Sequence, residues 1–409
     1  MKLVDDCFLH DRDRLRHAEA LALIAQRLIC VVGTKDVPIA EADGRVLASD
    51  VTAPRPVPAH DNAAVDGFSY RHADAPDGGT LRVTARLAAG DAPGAIGAGE
   101  AARIFTGAAM PDGADTVAMQ EDCTLKGDRV TLPGLKLGAN RRRAGEDVVK
   151  GGTVAGRGLR LRPQDVAAIA STGRPRVTVR EPLRVALLST GTELVAPGEP
   201  HRPGGVYDSN RAMLAAILRR LGHAVSDLGA LPDDRSRIEA TLREAADRHH
   251  AVVTSGGASK GEEDHLLASL DALGKRHLWQ LAVKPGRPMM MGQIGNCAVL
   301  GLPGNPVAAF VCALLYVRPA LGVLGGEAVR EPARYRLPAA FSIRSKPDRR
   351  EFLRGWTTDG RARKFGRDGS GLISGLTRAH GLIEVPEATT RVDEGDPVDF
   401  LPFAEFGIV

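Results

Sequence analysis

Residues 184–194 read RVALLSTGTEL, and the fold turns on them. Val185, Ala186, Leu187 and Leu188 are consecutive apolar residues closed by a Ser-Thr-Gly turn. An unbroken apolar run of this length suits a strand covered on both faces, as parallel strands are. Downstream, the residues predict an amphipathic helix over Asn210–Leu221, a strand over Ala224–Leu228, a charged amphipathic helix over Asp234–Arg248 and a strand over His250–Thr254. Leu278–Val283 and Cys297–Leu300 read as two further strands, and Pro306–Val317 as the last helix, with Asn305 as N-cap and Pro306 in its first turn. Strand–helix alternation with right-handed crossovers gives a doubly wound α/β sheet across 183–330.

In an open sheet of this kind ligands bind beyond the carboxyl ends of the strands. That rule gathers Ser189, Thr190, Gly191 and Glu193, then Asp233 and Asp234, then Ser255, Gly256, Gly257 and Asp264, then Lys284 and Arg287, then Pro303, Gly304, Asn305 and Pro306. The Thr254–Gly257 turn suits an oxyanion, because paired glycines let backbone N–H groups approach a phosphate. Acids beside such a cradle fit a divalent cation shared with phosphate, and Lys284 and Arg287 supply positive charge. No GxxxxGK[ST] occurs, and no GxGxxG follows a strand.

The flanks read differently. Residues 1–50 are helical in character, with Leu15, Ala18, Leu21, Leu23, Ile24 and Leu28 on one face and a second helix expected through EADGRVLASD. Across 51–140 short β runs (LRVTARL, ARIFTG, DTVAMQ, DRVTLPG) alternate with Gly-rich turns. Residues 141–182 return to mixed character with a helix at Pro163–Ala170, so an interrupted domain of 1–50 plus 141–182 is expected around an inserted 51–140 unit. Residues 331–409 read as a compact β module, a small barrel.

The chain has 409 residues, 43% hydrophobic and 25% charged, which excludes a largely disordered protein. A net charge of +4 over this length does not by itself point to nucleic acid. Only Arg141–Arg143 forms a basic run, and such runs are usually solvated. Five cysteines without a CxxC pair exclude a Cys-based zinc site and a disulfide framework, and fit a reducing compartment. The acidic start MKLVDDCFLH lacks the apolar core of a signal peptide. The apolar run Val307–Val317 is about half a membrane span. A cytoplasmic protein with neither membrane nor nucleic-acid partner is the simplest expectation.

Eight blocks then occur in order: DNAAVDGFSYR (61–71), RIFTGAAMPDGADTVAMQED (103–122), NRRRAGEDV (140–148), LSTGTELVAPG (188–198), VYDSNR (206–211), TSGGASKGEEDH (254–265), LAVKPGRP (281–288) and GLPGNPVAA (301–309). Together they closely resemble the molybdopterin molybdenumtransferases, the MoeA family that includes the E domain of gephyrin. The resemblance spans nearly the whole chain. It implies a doubly wound α/β molybdopterin-binding domain (183–330) flanked by a mixed N-terminal domain, a β-rich inserted domain and a C-terminal small β-barrel. It implies a homodimer that inserts molybdate into adenylylated molybdopterin, with Mg²⁺, releasing AMP and molybdenum cofactor. The site would be shared between subunits. The adenylyltransferase and molybdoenzyme chaperones are the protein partners it suggests.

Carried over by motif, Asp66, Asp147, Glu193 and Asp264 would be the catalytic acids, and Asp66, Glu193 and Asp264 the metal ligands. Thr106 and Gly107 match the family's TG turn, Lys284 its KPG lysine, and Pro303 and Pro306 its PGNP loop. Arg350 and Ser370 match more softly. Ser189 to Gly191, Ser255 to Gly257, Arg287, Gly304 and Asn305 complete the expected pterin and oxyanion contacts. The chain departs from the family at Lys260, Arg287 and Phe68, where an apolar residue, Lys and Tyr are usual. Two alternatives stand beside the transferase reading: a molybdopterin adenylyltransferase, which would consume ATP, and a non-catalytic scaffold like gephyrin.

Overall fold

The computed structural model describes residues 14–257, 265–367 and 369–408. Its central sheet runs in the order Ala224–Leu231, Arg184–Thr190, Ala251–Ser255, Cys297–Leu302, Met290–Ile294, Lys275–Trp279. The first four strands are parallel and the last two antiparallel. From Val185 to Thr190 every residue of the opening strand is buried. Because alternate strand side chains face opposite ways, Val185 and Leu187 join one core with Leu214, Leu218 and Leu321. Ala186 and Leu188 join a second core with Ile238, Leu242, Leu266 and Leu270. Burial of each such Leu contributes roughly 1.5–3 kcal/mol.

The structure splits one expected strand. Lys275–Trp279 is the antiparallel edge of the central sheet, whereas Val283–Lys284 pairs in parallel with Arg350–Glu351 of the C-terminal module. Between them Gln280 takes a left-handed conformation, φ 74°, which an extended strand cannot carry. Met290–Ile294, which the sequence reading passed over, forms a hairpin with Cys297–Leu302 across Gly295, φ 56°. The last helix runs well past Arg318, from Pro306 to Leu324, and is 83% buried. It is long and apolar enough to cross a membrane, but it is a core element here, with Arg318 stacked 5.8 Å from the Phe406 ring centre.

EADGRVLASD does not form the expected second helix. A single 3-10 turn, Ile39–Glu41, is followed by Gly44 at φ 70°, and Val46 and Leu47 then bridge Arg160 and Val179. The Asp-Gly turn breaks helical continuation, and burying Val46 and Leu47 in bridged pairs replaces it. Thr34–Pro38 pairs with Arg176–Arg180, so residues before and after the inserted segment meet in one small unit. Helix His17–Arg27 lays its buried side on the α/β core instead, through Ala20, Ile24 and Leu28. Ala18, expected on that face, is exposed.

The inserted unit is a six-stranded sheet in the order Thr116–Met119, Gly67–Tyr70, Glu100–Ile104, Gly78–Leu87, Arg129–Pro133, Thr124–Lys126. Gly67 is obligatory: a Cβ there would lie 1.8 Å from the Ala118 carbonyl oxygen. The C-terminal module winds Arg350–Thr358, Gly381–Val385, Pro397–Pro402 and Tyr335–Pro338 into one sheet. Arg361–Lys364 pairs on the other edge, and an Ala339–Ala362 bridge closes the barrel.

Candidate functional site

The strand-end loops converge as the sheet rule requires. Gly256 and Gly257 are both left-handed, φ 85° and 72°. Cβ atoms on them would stand 2.4 Å from the Thr190 carbonyl oxygen and 2.6 Å from its hydroxyl. The Gly256 N–H donates to the Leu302 carbonyl, which fixes this turn against the PGNP loop. Asn210 bridges the same two loops, its Nδ2 lying 2.9 Å from Ser255 Oγ and 2.7 Å from the Gly304 carbonyl. Ser189 Oγ, Thr190 Oγ1, Thr254 Oγ1 and Asn210 Oδ1 are buried without a hydrogen-bond partner. Buried polar atoms are nearly always bonded, so these four oxygens mark the carboxyl ends of the strands as the polar end of an otherwise apolar sheet.

The acids of this edge separate into two jobs. Asp233 accepts the Thr192 backbone N–H at 2.8 Å, and Thr192 Oγ1 accepts the Asp233 N–H at 3.1 Å. Asp234 caps the next helix by accepting the Arg237 N–H at 3.0 Å. The paired acids, indistinguishable by spacing, are thus a loop clasp and an N-cap. Glu193 is exposed beside the clasp. Asp264 and Lys260 lie outside the described residues.

A second feature adjoins the PGNP loop, a cavity of about 340 Å³ lined by Lys284, Arg287, Pro303, Asn305 and Ser370. Asn305 occupies the N-cap position, but its side chain makes no cap hydrogen bond; it lines this cavity instead. The Val307 N–H donates to the Ser370 carbonyl at 3.0 Å, tying the Ser370 loop to the helix start. Lys284 pairs with Glu351 at 3.2 Å, and Arg349 with the same carboxylate at 2.7 Å. Burial alone would raise the Glu351 pKa, but hydrogen bonds from Arg349 and Lys284 hold it below its ordinary value.

Arg350 is not on this wall. It pairs with Glu384 at 2.6 Å and Glu387 at 2.9 Å, facing a different cavity near His17. Arg349 and Arg354 line the anion-friendly side. Arg354, which the sequence reading missed, is 6% exposed and donates to the carbonyls of Leu372, Arg367 and Gly369 at 2.7, 2.8 and 3.1 Å. It therefore shapes the loop that presents Ser370. An Arg within the apolar run FLRGW was the available signal, since buried charges are paired or functional.

The third group lies on the inserted sheet. The Thr106 backbone N–H and hydroxyl both donate to Asp66 Oδ1, at 2.8 and 2.6 Å. Gly107, φ 80°, closes the turn by donating to the Ala63 carbonyl. Arg141–Arg142 pairs with Asn62–Ala63, and the exposed Asp147 sits on the adjoining loop, its N–H bonded to Val57. Arg141 also pairs with Asp61 at 3.5 Å, so part of the basic run is used internally. The side-chain bonds of the Asp66 corner stay within this unit. Among the described residues no three His, Cys, Asp or Glu side chains cluster as a preformed metal site.

A strand-end glycine turn suited to an anion, beside a cationic cavity, is the arrangement of an oxyanion-binding α/β protein. The MoeA N-terminal region (domains I and II) matches residues 15–173, the probable molybdopterin-binding domain matches 186–322, and the MoeA C-terminal region (domain IV) matches 336–403. A molybdopterin molybdenumtransferase of Haemophilus influenzae is 35% identical over 394 residues, covering 94% of this chain and 98% of that one. Molybdopterin molybdenumtransferase 2 of Mycobacterium tuberculosis is 33% identical, covering 88% and 92%. A crystal structure of the molybdopterin biosynthesis MoeA protein of Pyrococcus horikoshii OT3 superposes with a TM-score of 0.82 at 30% identity, covering 95% and 100%. The chain belongs to the MoeA family of molybdopterin molybdenumtransferases.

Proposed function

We propose that this transferase of molybdenum cofactor biosynthesis inserts molybdate into adenylylated molybdopterin and releases AMP. The observation that carries the reading is the pairing of two sites across one loop. The PGNP segment borders the strand-end oxyanion turn on one side and the cationic cavity on the other. A phosphate-bearing pterin on the first would lie beside an oxyanion held in the second. Lys284 and Arg287 bind molybdate by charge, Ser370 donates a hydrogen bond, and Arg354 orients Ser370. Positioning and electrostatic stabilisation are what such a transfer mainly requires. Neither ATP consumption nor a purely structural role is favoured by the family's membership.

Mg²⁺ is proposed as cofactor, held by Asp66, Glu193 and Asp264. Mg²⁺ commonly takes only one or two protein carboxylates with substrate oxygens, so the exposed carboxylate of Glu193 beside the oxyanion turn fits. Bound there, it would supply charge neutralisation for the pyrophosphate. Asp66 borders the inserted sheet and is bonded to Thr106, and Asp147 lies on the adjoining loop bonded to Val57, rather than on the strand-end loops. This supports a homodimer in which one subunit's Asp66–Thr106 corner completes the strand-end site of the other. The chain is proposed to divide into four units, 1–50 with 141–182, 51–140, 183–330 and 331–409, with the 17–27 helix packed on the third. Free thiols at Cys30, Cys123, Cys297 and Cys312 support a reducing, cytoplasmic setting. The adenylyltransferase and molybdoenzyme chaperones remain its proposed protein partners.

Purified protein is incubated with adenylylated molybdopterin, molybdate and Mg²⁺, and AMP is quantified. Molybdate-dependent AMP release supports the reading; no AMP, or consumption of added ATP instead, overturns it.

A further inference from the structure

We infer that Asn210 is a positioning residue that makes the strand-end site a donor site for anions. The inference rests on the reading that the substrate's phosphate groups bind at these loops. Asn210 lies in the first turn of helix Ser209–Arg220, and that turn is firmly built. Asp208, 2% exposed, accepts the Arg211 N–H at 3.1 Å, and the Arg211 guanidinium spans Asp208 and Asp227 at 2.9 and 2.7 Å. Asn210 itself is 7% exposed.

Its orientation follows from chemistry. The Gly304 carbonyl can only accept, so the atom 2.7 Å from it is the amide nitrogen. The second N–H of that nitrogen then faces Ser255 Oγ, 2.9 Å away, and Ser255 is the acceptor. Two consequences follow. The Gly304 carbonyl, an acceptor on the PGNP loop, already holds one N–H, which weakens the negative potential it presents to an anion. The Ser255 hydroxyl, already accepting, keeps its own O–H to donate beside the Gly256–Gly257 turn. One amide thereby engages an acceptor on each loop and leaves the Ser255 O–H to donate, while tying the two ligand loops together. Asn210 Oδ1 is buried without a partner among the described residues, so the side chain is held by its amide nitrogen.

Asn210→Asp is nearly isosteric and reverses this polarity. The carboxylate takes the Ser255 O–H as its own donor, opposes the Gly304 carbonyl and repels phosphate. Burial raises the pKa of such a carboxylate, so acid restores one O–H to donate to Gly304. The test measures direct binding of adenylylated molybdopterin without molybdate, by pterin fluorescence, at pH 8 and pH 6. Asn210→Asp is expected to weaken binding by about 10- to 100-fold at pH 8, with substantial recovery at pH 6. Asn210→Ser, which cannot titrate, is expected to be equally weak at both pH values. Thermal unfolding close to wild type shows that either variant is folded.

Wild-type affinity in Asn210→Asp at pH 8, or a defect unchanged at pH 6, overturns the inference. Because no turnover is involved, binding by wild type without later AMP release would overturn the transferase reading while this comparison still stands. No binding by wild type at either pH would overturn both.

Discussion

Thr106 donates two hydrogen bonds, from its backbone N–H and its hydroxyl, to the same oxygen of Asp66. The hydroxyl bond first, and the backbone bond next, hold the Asp66 carboxyl below its ordinary pKa, with Arg103 nearby adding to the effect. Asp66 is therefore a fixed, half-buried anion whose hydrogen bonds from Thr106 both fall on one oxygen.

Thr106→Val should raise the Asp66 pKa toward its ordinary value, measured by NMR titration. A lowered folded-state pKa contributes stability that is present above the unfolded value and lost as pH falls through the folded one. The pH dependence contributed by Asp66 therefore lies below about pH 4, and activity between pH 6 and 8 should show no acid limb from this residue. Asp66→Asn should lower AMP release by about 100-fold with little change in unfolding temperature.

Arg350 and Arg354 should separate in kinetics. Arg354→Ala frees the Ser370 loop, so the KM for molybdate should rise about tenfold or more. Arg354→Lys should not rescue it, since one ammonium cannot reproduce a planar fork reaching three carbonyls and stacked 5.0 Å from Phe365. Arg350→Ala leaves Glu384 buried and partly unpaired, and should cost on the order of 3 kcal/mol of stability while the molybdate KM stays near wild type. Equal KM effects in both would contradict the assignment of the cavity wall.

Gly256→Ala and Gly295→Ala compare two left-handed glycines. A Cβ at Gly256 meets the Thr190 carbonyl oxygen at 2.4 Å, whereas at Gly295 nothing lies within 4 Å. Gly295→Ala should cost only the backbone penalty, about 1 kcal/mol. Gly256→Ala must also displace the oxyanion turn, and should destabilise further and abolish substrate binding. Urea unfolding and pterin binding report the two effects.

Burial, reinforced by Arg350, pushes the His17 pKa down to about 4; its Nδ1 lies 2.8 Å from the Tyr316 hydroxyl. The unfolded state binds this proton first, so the stability held above about pH 6.5 is lost progressively as pH falls toward about 4. His223, also lowered to about 4 by burial, adds the same trend. Thermal unfolding at pH 7 and pH 5 should show a smaller acid-induced drop in His17→Gln than in the wild type.

The strands RVALLS and HAVVT were legible because a strand covered on both faces carries its apolar signal continuously. The break at Gln280 was not, since no residue there forbids extension; the partner strand Arg350–Glu351, distant in sequence, captures Val283–Lys284. The segment DRREFLRG holds three arginines of nearly equal local character. Only tertiary pairing decides that Arg350 meets Glu384 and Glu387 while Arg349 and Arg354 face the cavity. The two loops that Asn210 joins lie 45 and 94 residues away in sequence, so VYDSNR announced a block without announcing its use.

Single-turnover AMP release by the purified protein, with adenylylated molybdopterin and with or without molybdate, decides whether it inserts molybdate. The expected result is one AMP per substrate, dependent on molybdate, with AMP release by Arg354→Ala falling at low molybdate and returning at high molybdate. Substrate that stays adenylylated in the presence of molybdate and Mg²⁺ would contradict it.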